Sequence, residues 1–163
     1  MVSTGAARRR QVYPRTELRQ LRFHHTHTKE RLDVTYWQQG GYVRTSLTQI
    51  NELLRDFRTG EAHPIDPGLL DLLHQVYLNT GSEGEYQIIS AYRPPKTNAM
   101  LRGKSKNVAR RSLHMDGKAI DVRLTDMPIS VVRKTALFLR QGGVGYYPES
   151  NFVHLDTGRP RFW

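Results

Sequence analysis

Short stretches in which apolar and polar residues alternate predict the strands of this chain. In "KAIDVRL" (118–124), alternation would turn Ile120, Val122 and Leu124 to one side and Ala119, Asp121 and Arg123 to the other. In "NFVHLDTG" (151–158), Val153 and Leu155 would point into the core and leave Phe152, His154 and Asp156 on the opposite face. Further strands are predicted at "LRFHHTHT", "RLDVTYW", "EYQIIS" and "VGYY".

Helical periodicity predicts three further segments. "SLTQINELLRDFRTG" begins with a capping-box pattern at Ser46 and Gln49. "DPGLLDLLHQVYLNTG" has Asp66 as N-cap, Pro67 at the first helical position and Gly81 past the end. "PISVVRKTALFLRQGG" ends at a glycine pair, and "KTNAMLRG" is expected to form one or two helical turns. The order favours an α+β fold with two or three helices packed on a mostly antiparallel sheet.

Length and hydropathy favour one soluble domain. The 163 residues, 37% of them hydrophobic, fit a single domain, which we place at residues 19–163 after a basic, flexible segment at 1–18. No apolar run is long enough to span a bilayer. The basic leader has no apolar stretch after it, so we expect either a cytosolic protein or a mature form whose export signal lies outside the sequence.

The amino-acid composition limits the kinds of metal site and catalytic nucleophile that the chain can form. With no cysteine, disulfides, thiolate metal sites and cysteine nucleophiles are excluded, so any metal must be held by histidine and carboxylate. The net charge is +10, and the span 93–111 holds seven basic residues and no acidic one. This span is either a solvated face or the binding surface of an anionic partner. Nucleic-acid binding is the weakest reading, because no binding motif is present and aromatic residues are not interleaved with the basic ones.

The stretch "SLHMDGKAID" contains two candidate metal ligands. A straight strand would separate His114 from Asp121 by roughly 23 Å. Asp116 and Gly117 form a strong turn signal, however, which would let the chain fold back and bring the two side chains together. If "NFVHLDTG" lies beside "KAIDVRL", His154 adds a third ligand, and three N/O ligands with an open position are typical of catalytic zinc. Each residue alone is a weak signal, because a lone histidine is more often a hydrogen-bonded structural residue.

A second histidine cluster lies in "FHHTHT". His25 and His27 would share a face of a strand and could bind a metal, with His24 beside them. Nothing elsewhere in the chain completes such a site. We therefore expect this cluster to be an exposed or edge feature.

These motifs carry a family resemblance. Ser112, His114, Gly117, Ala119 and Asp121 match the signature S-x-H-x-x-G-x-A-x-D of the zinc D-alanyl-D-alanine carboxypeptidase and dipeptidase superfamily. Nearly the whole chain, including "SAYRPPKTN", "GVGYYPESNFVHLDTG" and "VTYWQQGGYV", resembles the YcbK-like branch of exported bacterial proteins. The resemblance implies a D-Ala-D-Ala metallopeptidase-like (Hedgehog/DD-peptidase) fold.

The resemblance also implies a function and a site. One Zn²⁺ per chain would be held by His114, Asp121 and His154, and the activity would be hydrolysis of peptidoglycan stem peptides, of the murein endopeptidase or carboxypeptidase type. Arg93 would bind the substrate carboxylate or the developing oxyanion. Substrate binding is expected at Ser112, Arg111, Tyr92 and Asn98. We expect a monomer, without nucleic acid as a partner, in the periplasm or another extracytoplasmic space.

The chain departs from the superfamily at its usual general base. The glutamate of the E-x-x-H motif is replaced by Asn151, and the first histidine of the alternative H-x-H motif by Phe152. Asp156 is preferred as the base because a strand fixes its direction, and Glu149 is the second candidate. Asp156 could instead orient a metal ligand. The missing glutamate leaves open a zinc-stabilised, non-catalytic peptidoglycan-binding module.

Overall fold

A computed structural model describes residues 17–106 and 108–163 of the protein. The basic segment expected at 1–18 therefore lies almost entirely outside the described residues. Within these ranges, eight strands form one sheet in the order β3-β2-β1-β4-β5-β7-β6-β8. Their bounds are β1 Arg19–His25, β2 Arg31–Gln38, β3 Gly41–Tyr42, β4 Tyr86–Ser90, β5 Ala119–Leu124, β6 Gly143–Tyr147, β7 Phe152–Asp156 and β8 Arg161–Phe162.

Neighbouring strands are antiparallel except in the pairs β1·β4 and β6·β8. The predicted α+β class with a mostly antiparallel sheet is confirmed. All six predicted strands are present, and the closing hairpin β6–β7 has β7 inserted between β5 and β6. This insertion places the "NFVHLDTG" segment directly beside "KAIDVRL".

The described residues form four α-helices rather than the expected two or three: α1 Arg44–Leu53, α2 Pro67–Thr80, α3 Pro95–Lys104 and α4 Ile129–Leu139. Helix α2 has the predicted ends, because Asp66 Oδ1 accepts a hydrogen bond from Gly68 N at 2.9 Å and Gly81 adopts a φ of 67°. The segment "KTNAMLRG" belongs to α3, a ten-residue helix that is longer than predicted. Every helix in the described ranges is too short or too polar to cross a bilayer.

The predicted capping box of α1 is wrong. The N-cap is Val43, without a side-chain hydrogen bond, so Ser46 lies inside the first turn. Ser46 is buried against β2, and its hydroxyl donates to the Thr35 carbonyl at 2.7 Å instead of capping the helix. The pairing with a neighbouring strand therefore determines the orientation of this side chain.

The end of α4 also differs from the prediction. The helix stops at Leu139, where Arg140 takes up the left-handed conformation at a φ of 52°, before the glycine pair. Gly142 does not end the helix. A Cβ at this position would lie 1.6 Å from the Asp156 carbonyl oxygen, so only glycine fits there. The glycine permits the close approach of the segment before β6 to the end of β7.

The hydrophobic core determines which face of the sheet carries polar groups. Ile120, Val122 and Leu155 are fully buried in one apolar cluster to which α1, α2 and α4 contribute. Alternation then turns the side chains of Asp121 and His154 away from that cluster, as predicted. The polar face of β5 and β7 is the location of the candidate site.

Candidate metal centre

His114 is positioned by a single 3-10 turn, Leu113–Asp116, that follows Ser112. Gly117 ends this turn at a φ of 65°, and a Cβ there would lie 2.3 Å from the Pro64 carbonyl oxygen. The predicted reversal at Asp116-Gly117 is confirmed. His114 is 2% exposed, and its Nδ1 donates to the Ala91 carbonyl at 2.6 Å, which leaves Nε2 directed at Asp121.

Asp121 and His154 face each other as register partners in β5 and β7. Asp121 Oδ1 lies 3.3 Å from His114 Nε2 and 2.9 Å from His154 Nδ1. The three residues offer ligand atoms that all lie within 4.8 Å of one another, and they are the one such buried group in the described part of the chain.

The residues fit a zinc ion. Metal–ligand distances of about 2.0–2.1 Å place tetrahedral ligand atoms about 3.3 Å apart, close to the spacings around Asp121 Oδ1. Two imidazole nitrogens and one carboxylate oxygen are a donor set typical of catalytic zinc sites.

Asp156 is the most heavily constrained side chain of the site. It is fully buried, and Arg161 donates to both of its oxygens, at 2.9 and 2.7 Å. The amides of Gly143 and Gly158 donate to Oδ1 at 3.0 and 2.9 Å. His154 Nε2 lies 2.9 Å from Oδ2. The imidazole of His154 is thus held between Asp156 at Nε2 and Asp121 at Nδ1.

Burial and charge act in opposition on these groups. Burial lowers the pKa of His114 more than neighbouring Asp121 raises it, which keeps that imidazole neutral. Burial alone would lower the pKa of His154, but hydrogen bonds to Asp121 and Asp156 raise it to about 9. Burial would raise the pKa of both carboxylates, but the histidines, and Arg161 at Asp156, hold each pKa well below its ordinary value. Both carboxylates are therefore anionic, and the site favours a bound cation.

Arg93 lies beside the ligands. Its amide donates to the His114 carbonyl at 3.1 Å, and its guanidinium Nη2 lies 3.7 Å from Asp121 Oδ2. Burial lowers the pKa of Arg93 and the charge of Asp121 raises it. Asn98 supports this arrangement from beneath: its Oδ1 accepts from Arg93 Nη1 at 3.5 Å and its Nδ2 donates to the Ala109 carbonyl at 3.1 Å.

A cavity of about 320 Å³ opens over the three ligands. The predicted residues Arg93, Arg111 and Ser112 line it. Sequence reasoning missed its aromatic wall, which consists of Tyr147, Phe152 and Trp163. No local signal marks that wall, because Trp163 reaches it only through the parallel pairing of β8 with β6.

Four predicted site residues do not line this cavity: Asp156, described above, and Tyr92, Asn98 and Glu149. Tyr92 is buried, stacks on His63 with ring centroids 4.7 Å apart, and donates to Glu61 at 3.0 Å. Asn98 is buried below Arg93. Glu149 is exposed in the turn between β6 and β7. Among the described residues, Asp121 is the one carboxylate that lines the cavity.

The expectation that the histidine cluster at 24–27 is an exposed or edge feature is wrong for His25, whereas His27 is exposed. Strand β1 lies inside the sheet between β2 and β4, and His25 is 1% exposed at its end. Its Nδ1 accepts from the amides of His27 and Thr28 at 3.2 and 3.3 Å. The His27 ring stacks on Phe57 at 3.9 Å. These rings pack and close a turn instead of gathering around a cation.

Comparisons with known proteins identify a family for the chain. Residues 14–163 match the family model described as peptidoglycan L,D-endopeptidase MepK. The chain is 41% identical over 143 residues to the peptidoglycan L,D-endopeptidase MepK of Escherichia coli (strain K12), covering 88% of this chain and 79% of the relative. It is 42% identical over 144 residues to the probable peptidoglycan L,D-endopeptidase MepK of Haemophilus influenzae, covering 88% of this chain and 77% of the relative. No solved structure matches.

Proposed function

We propose, since the chain belongs to the peptidoglycan L,D-endopeptidase MepK family, that it hydrolyses a peptide bond between an L- and a D-centre in the stem peptides of peptidoglycan. The reaction would be zinc-dependent, with one ion per chain. The observation that carries the proposal is the convergence of His114 Nε2, Asp121 Oδ1 and His154 Nδ1 at the floor of an open cavity.

The three ligands are suited to their role because their other polar atoms already have partners. The Ala91 carbonyl holds His114 Nδ1, and Asp156 holds His154 Nε2. A zinc ion bound by these residues would polarise the scissile carbonyl and lower the pKa of a water molecule. Removal of a partner that fixes the ring of a metal-binding histidine commonly lowers metal affinity by about 10- to 100-fold.

Arg93 would stabilise negative charge on the substrate. Its guanidinium is buried at the cavity wall next to Asp121, and its Nε lacks a hydrogen bond partner in the described protein. A guanidinium in a cavity with restricted access to water suits a carboxylate or an oxyanion. Ser112 and Arg111, at the cavity wall, are placed to bind the peptide on either side of the reacting bond.

Two carboxylates are considered as general base. Both oxygens of Asp156 are already engaged by donors of the protein, so we assign this residue to orienting His154. Glu149 makes no hydrogen bond or ion pair with another described residue, and it is the remaining candidate for the general base. It lies in the turn that joins two cavity-lining strands, β6 and β7.

The basic span would attract the acidic substrate. Lys96, Arg102, Lys104, Lys106, Arg110 and Arg111 are exposed, and within the described ranges none of them forms an ion pair with an acidic side chain. They lie on α3 and on the loop that borders the cavity. A field of one sign beside a cleft raises the local concentration of an anionic polymer. Peptidoglycan as substrate implies a periplasmic or other extracytoplasmic location.

A peptidoglycan-binding module is the second candidate. It is favoured by Asn151, which stands where the superfamily carries its glutamate, and by the lack of a carboxylate other than Asp121 among the described residues that line the cavity. In that case zinc would stabilise the fold without supporting turnover.

One experiment separates the two candidates. Purified peptidoglycan fragments are incubated with zinc-loaded protein, and the products are separated by chromatography and identified by mass spectrometry. We expect new fragments from the wild type, none from His114→Ala, and fewer from Glu149→Gln. Unchanged fragments with all three proteins, at one zinc per wild-type chain, would refute the peptidase and support the binding module.

A further inference from the structure

Tyr147 presents a phenol hydroxyl at the wall of the cavity. It is the last residue of β6 and the register partner of Phe152 on β7. The two rings stack with centroids 4.6 Å apart and an interplanar angle of 18°. Both line the cavity together with Arg93 and the three candidate ligands. The stacking fixes the ring plane of Tyr147 and hence the plane in which its O–H bond lies.

The hydroxyl is also oriented by Trp163, whose Nε1 donates to the Tyr147 oxygen at 2.8 Å. The backbone of Trp163 is tied to β6 on both sides: its amide donates to the Val144 carbonyl at 3.2 Å, and its carbonyl accepts from the Tyr146 amide at 3.1 Å. A Cβ at Gly145 would lie 2.8 Å from the indole ring, so glycine is the residue that leaves room for it. The indole is therefore held in place over β6.

These contacts leave Tyr147 with a hydrogen to donate. A phenol hydroxyl carries one hydrogen that it can donate. The indole of Trp163 can only donate, so the Tyr147 oxygen must be the acceptor in that pair. Within the described ranges, no protein acceptor takes the hydrogen of Tyr147. The hydroxyl is thus a preoriented donor at the wall of a cavity whose floor holds the ligands.

We propose that Tyr147 is a catalytic residue that donates a hydrogen bond to the scissile carbonyl oxygen as negative charge develops on it, and that Trp163 is the residue that positions it. The inference rests on the proposed peptidase function. It adds a neutral donor to the charged Arg93 at the same cavity, and it gives the aromatic wall a role in the chemistry. Removal of one such donor commonly lowers kcat by about 100- to 1,000-fold.

Four variants test this inference on the full chain loaded with zinc: Tyr147→Phe, Trp163→Phe, their combination, and Tyr146→Phe as the matched control. Tyr146 lies next to Tyr147 on β6 but carries its ring on the other side of the strand, under the guanidinium of Arg133 at 5.0 Å. The measurements are kcat and KM for fragment release, and the visible absorption spectrum of the cobalt-substituted protein, which reports on the ligand geometry.

We expect Tyr147→Phe to lower kcat by about 100-fold, with KM and the cobalt spectrum close to those of the wild type. Trp163→Phe should lower kcat by a smaller factor, about 10-fold, because it loosens the hydroxyl without removing it. The combined variant should be no slower than Tyr147→Phe alone, since Trp163 acts through that hydroxyl. Tyr146→Phe should keep the wild-type kcat.

Three results would overturn the inference. Equal kcat in Tyr147→Phe and wild type would exclude the hydroxyl from the reaction while leaving the peptidase in place. A defect confined to KM would make Tyr147 a residue of ground-state binding only. Additive losses in the combined variant would separate Trp163 from Tyr147. Absence of turnover in the wild type would instead refute the proposed function, and this inference with it.

Discussion

Replacement of Asp156 by asparagine tests how the candidate metal centre is held together. Asparagine preserves the shape of the side chain and can keep an oxygen at the Oδ1 position, where the amides of Gly143 and Gly158 and one nitrogen of Arg161 donate. Its NH₂ group would then take the Oδ2 position, 2.9 Å from His154 Nε2. Two donors cannot pair, so His154 must offer its Nε2 lone pair and carry its proton on Nδ1. That proton would occupy the direction in which Nδ1 should bind the metal.

The expected losses have two parts. The exchange of tautomer should weaken zinc binding by about 10- to 100-fold, the usual effect of losing a partner behind a metal-bound histidine. The folded state should lose about 3 kcal/mol of stability, since breaking a buried ion pair costs roughly 3–5 kcal/mol. The low end of this energy range applies because the Arg161 side chain is 34% exposed, so water screens part of its charge.

Zinc affinity is measured by competition with a chromophoric chelator, and stability by urea unfolding of the metal-free protein. The matched control is Asp126→Asn. Asp126 accepts hydrogen bonds from Ser82 Oγ at 2.6 Å and from the amides of Glu83 and Gly84 at 2.9 and 3.0 Å, and is not among the residues lining the cavity. This control should lose about 1 kcal/mol of stability and keep its zinc affinity.

The reasoning fails if Asp156→Asn binds zinc as tightly as the wild type. Such a result combined with a large loss of kcat would return Asp156 to the role of general base. Weaker zinc binding accompanied by kcat close to that of the wild type at saturating zinc would identify Asp156 as a residue that orients His154 and does no more.

Three further predictions follow from the same structure. Chelation of the metal should lower the melting temperature of the wild type, because a ligand present at 100 times its Kd stabilises by about 2.7 kcal/mol, and should leave His114→Ala unchanged in a thermal scan. Arg102→Gln combined with Lys104→Gln should raise KM on peptidoglycan at low ionic strength, a difference that should disappear near 1 M salt, where the Debye length is about 3 Å. Burial, and after it the charge of His27, lowers the pKa of His25 in the folded protein to about 4. As the pH drops, His25 therefore binds a proton in the unfolded chain before it does so in the folded protein. The free energy of unfolding should fall between about pH 6.5 and about pH 4. His25→Asn keeps an acceptor for the turn amides without titrating. Urea unfolding at pH 7 and pH 4.5 should show that the variant loses about 2 kcal/mol less unfolding free energy between these pH values than the wild type. An equal loss in both proteins would exclude His25 as the cause.

The side-chain faces of β5 and β7 were predictable because alternation has a strict period of two. Once Val153 and Leu155 were placed in the core, His154 had to lie on the opposite face. The turn at Gly117 was predictable for a similar local reason, since few residues other than glycine tolerate its positive φ. In both cases the determining forces act within a few residues of the motif.

Features that depend on distant contacts were not predictable. The hydroxyl of Ser46 pairs with Thr35 across α1 and β2, and this tertiary contact replaces the predicted cap. The link between Trp163 and Tyr147 requires β8 to run parallel to β6, which no local pattern indicates. The features that could not be predicted are therefore those in which a side chain contacts a residue of a different helix or strand.

The position of Asp156 two residues after His154 accounts for the geometry of the whole centre. Residues i and i+2 of a strand share a face, so Asp156 reaches Nε2 of the His154 ring while Nδ1 is turned toward Asp121 on β5. The imidazole can bridge the two carboxylates only because β7 pairs with β5 in the register that sets Asp121 opposite His154. A slip of one residue would turn both His154 and Asp156 into the apolar core, where neither the ligand nor its anchor could remain charged. The same buried carboxylate that orients the ligand thus makes a one-residue slip of β7 unfavourable, so the chemistry of the site and the register of the strand depend on one pair of side chains.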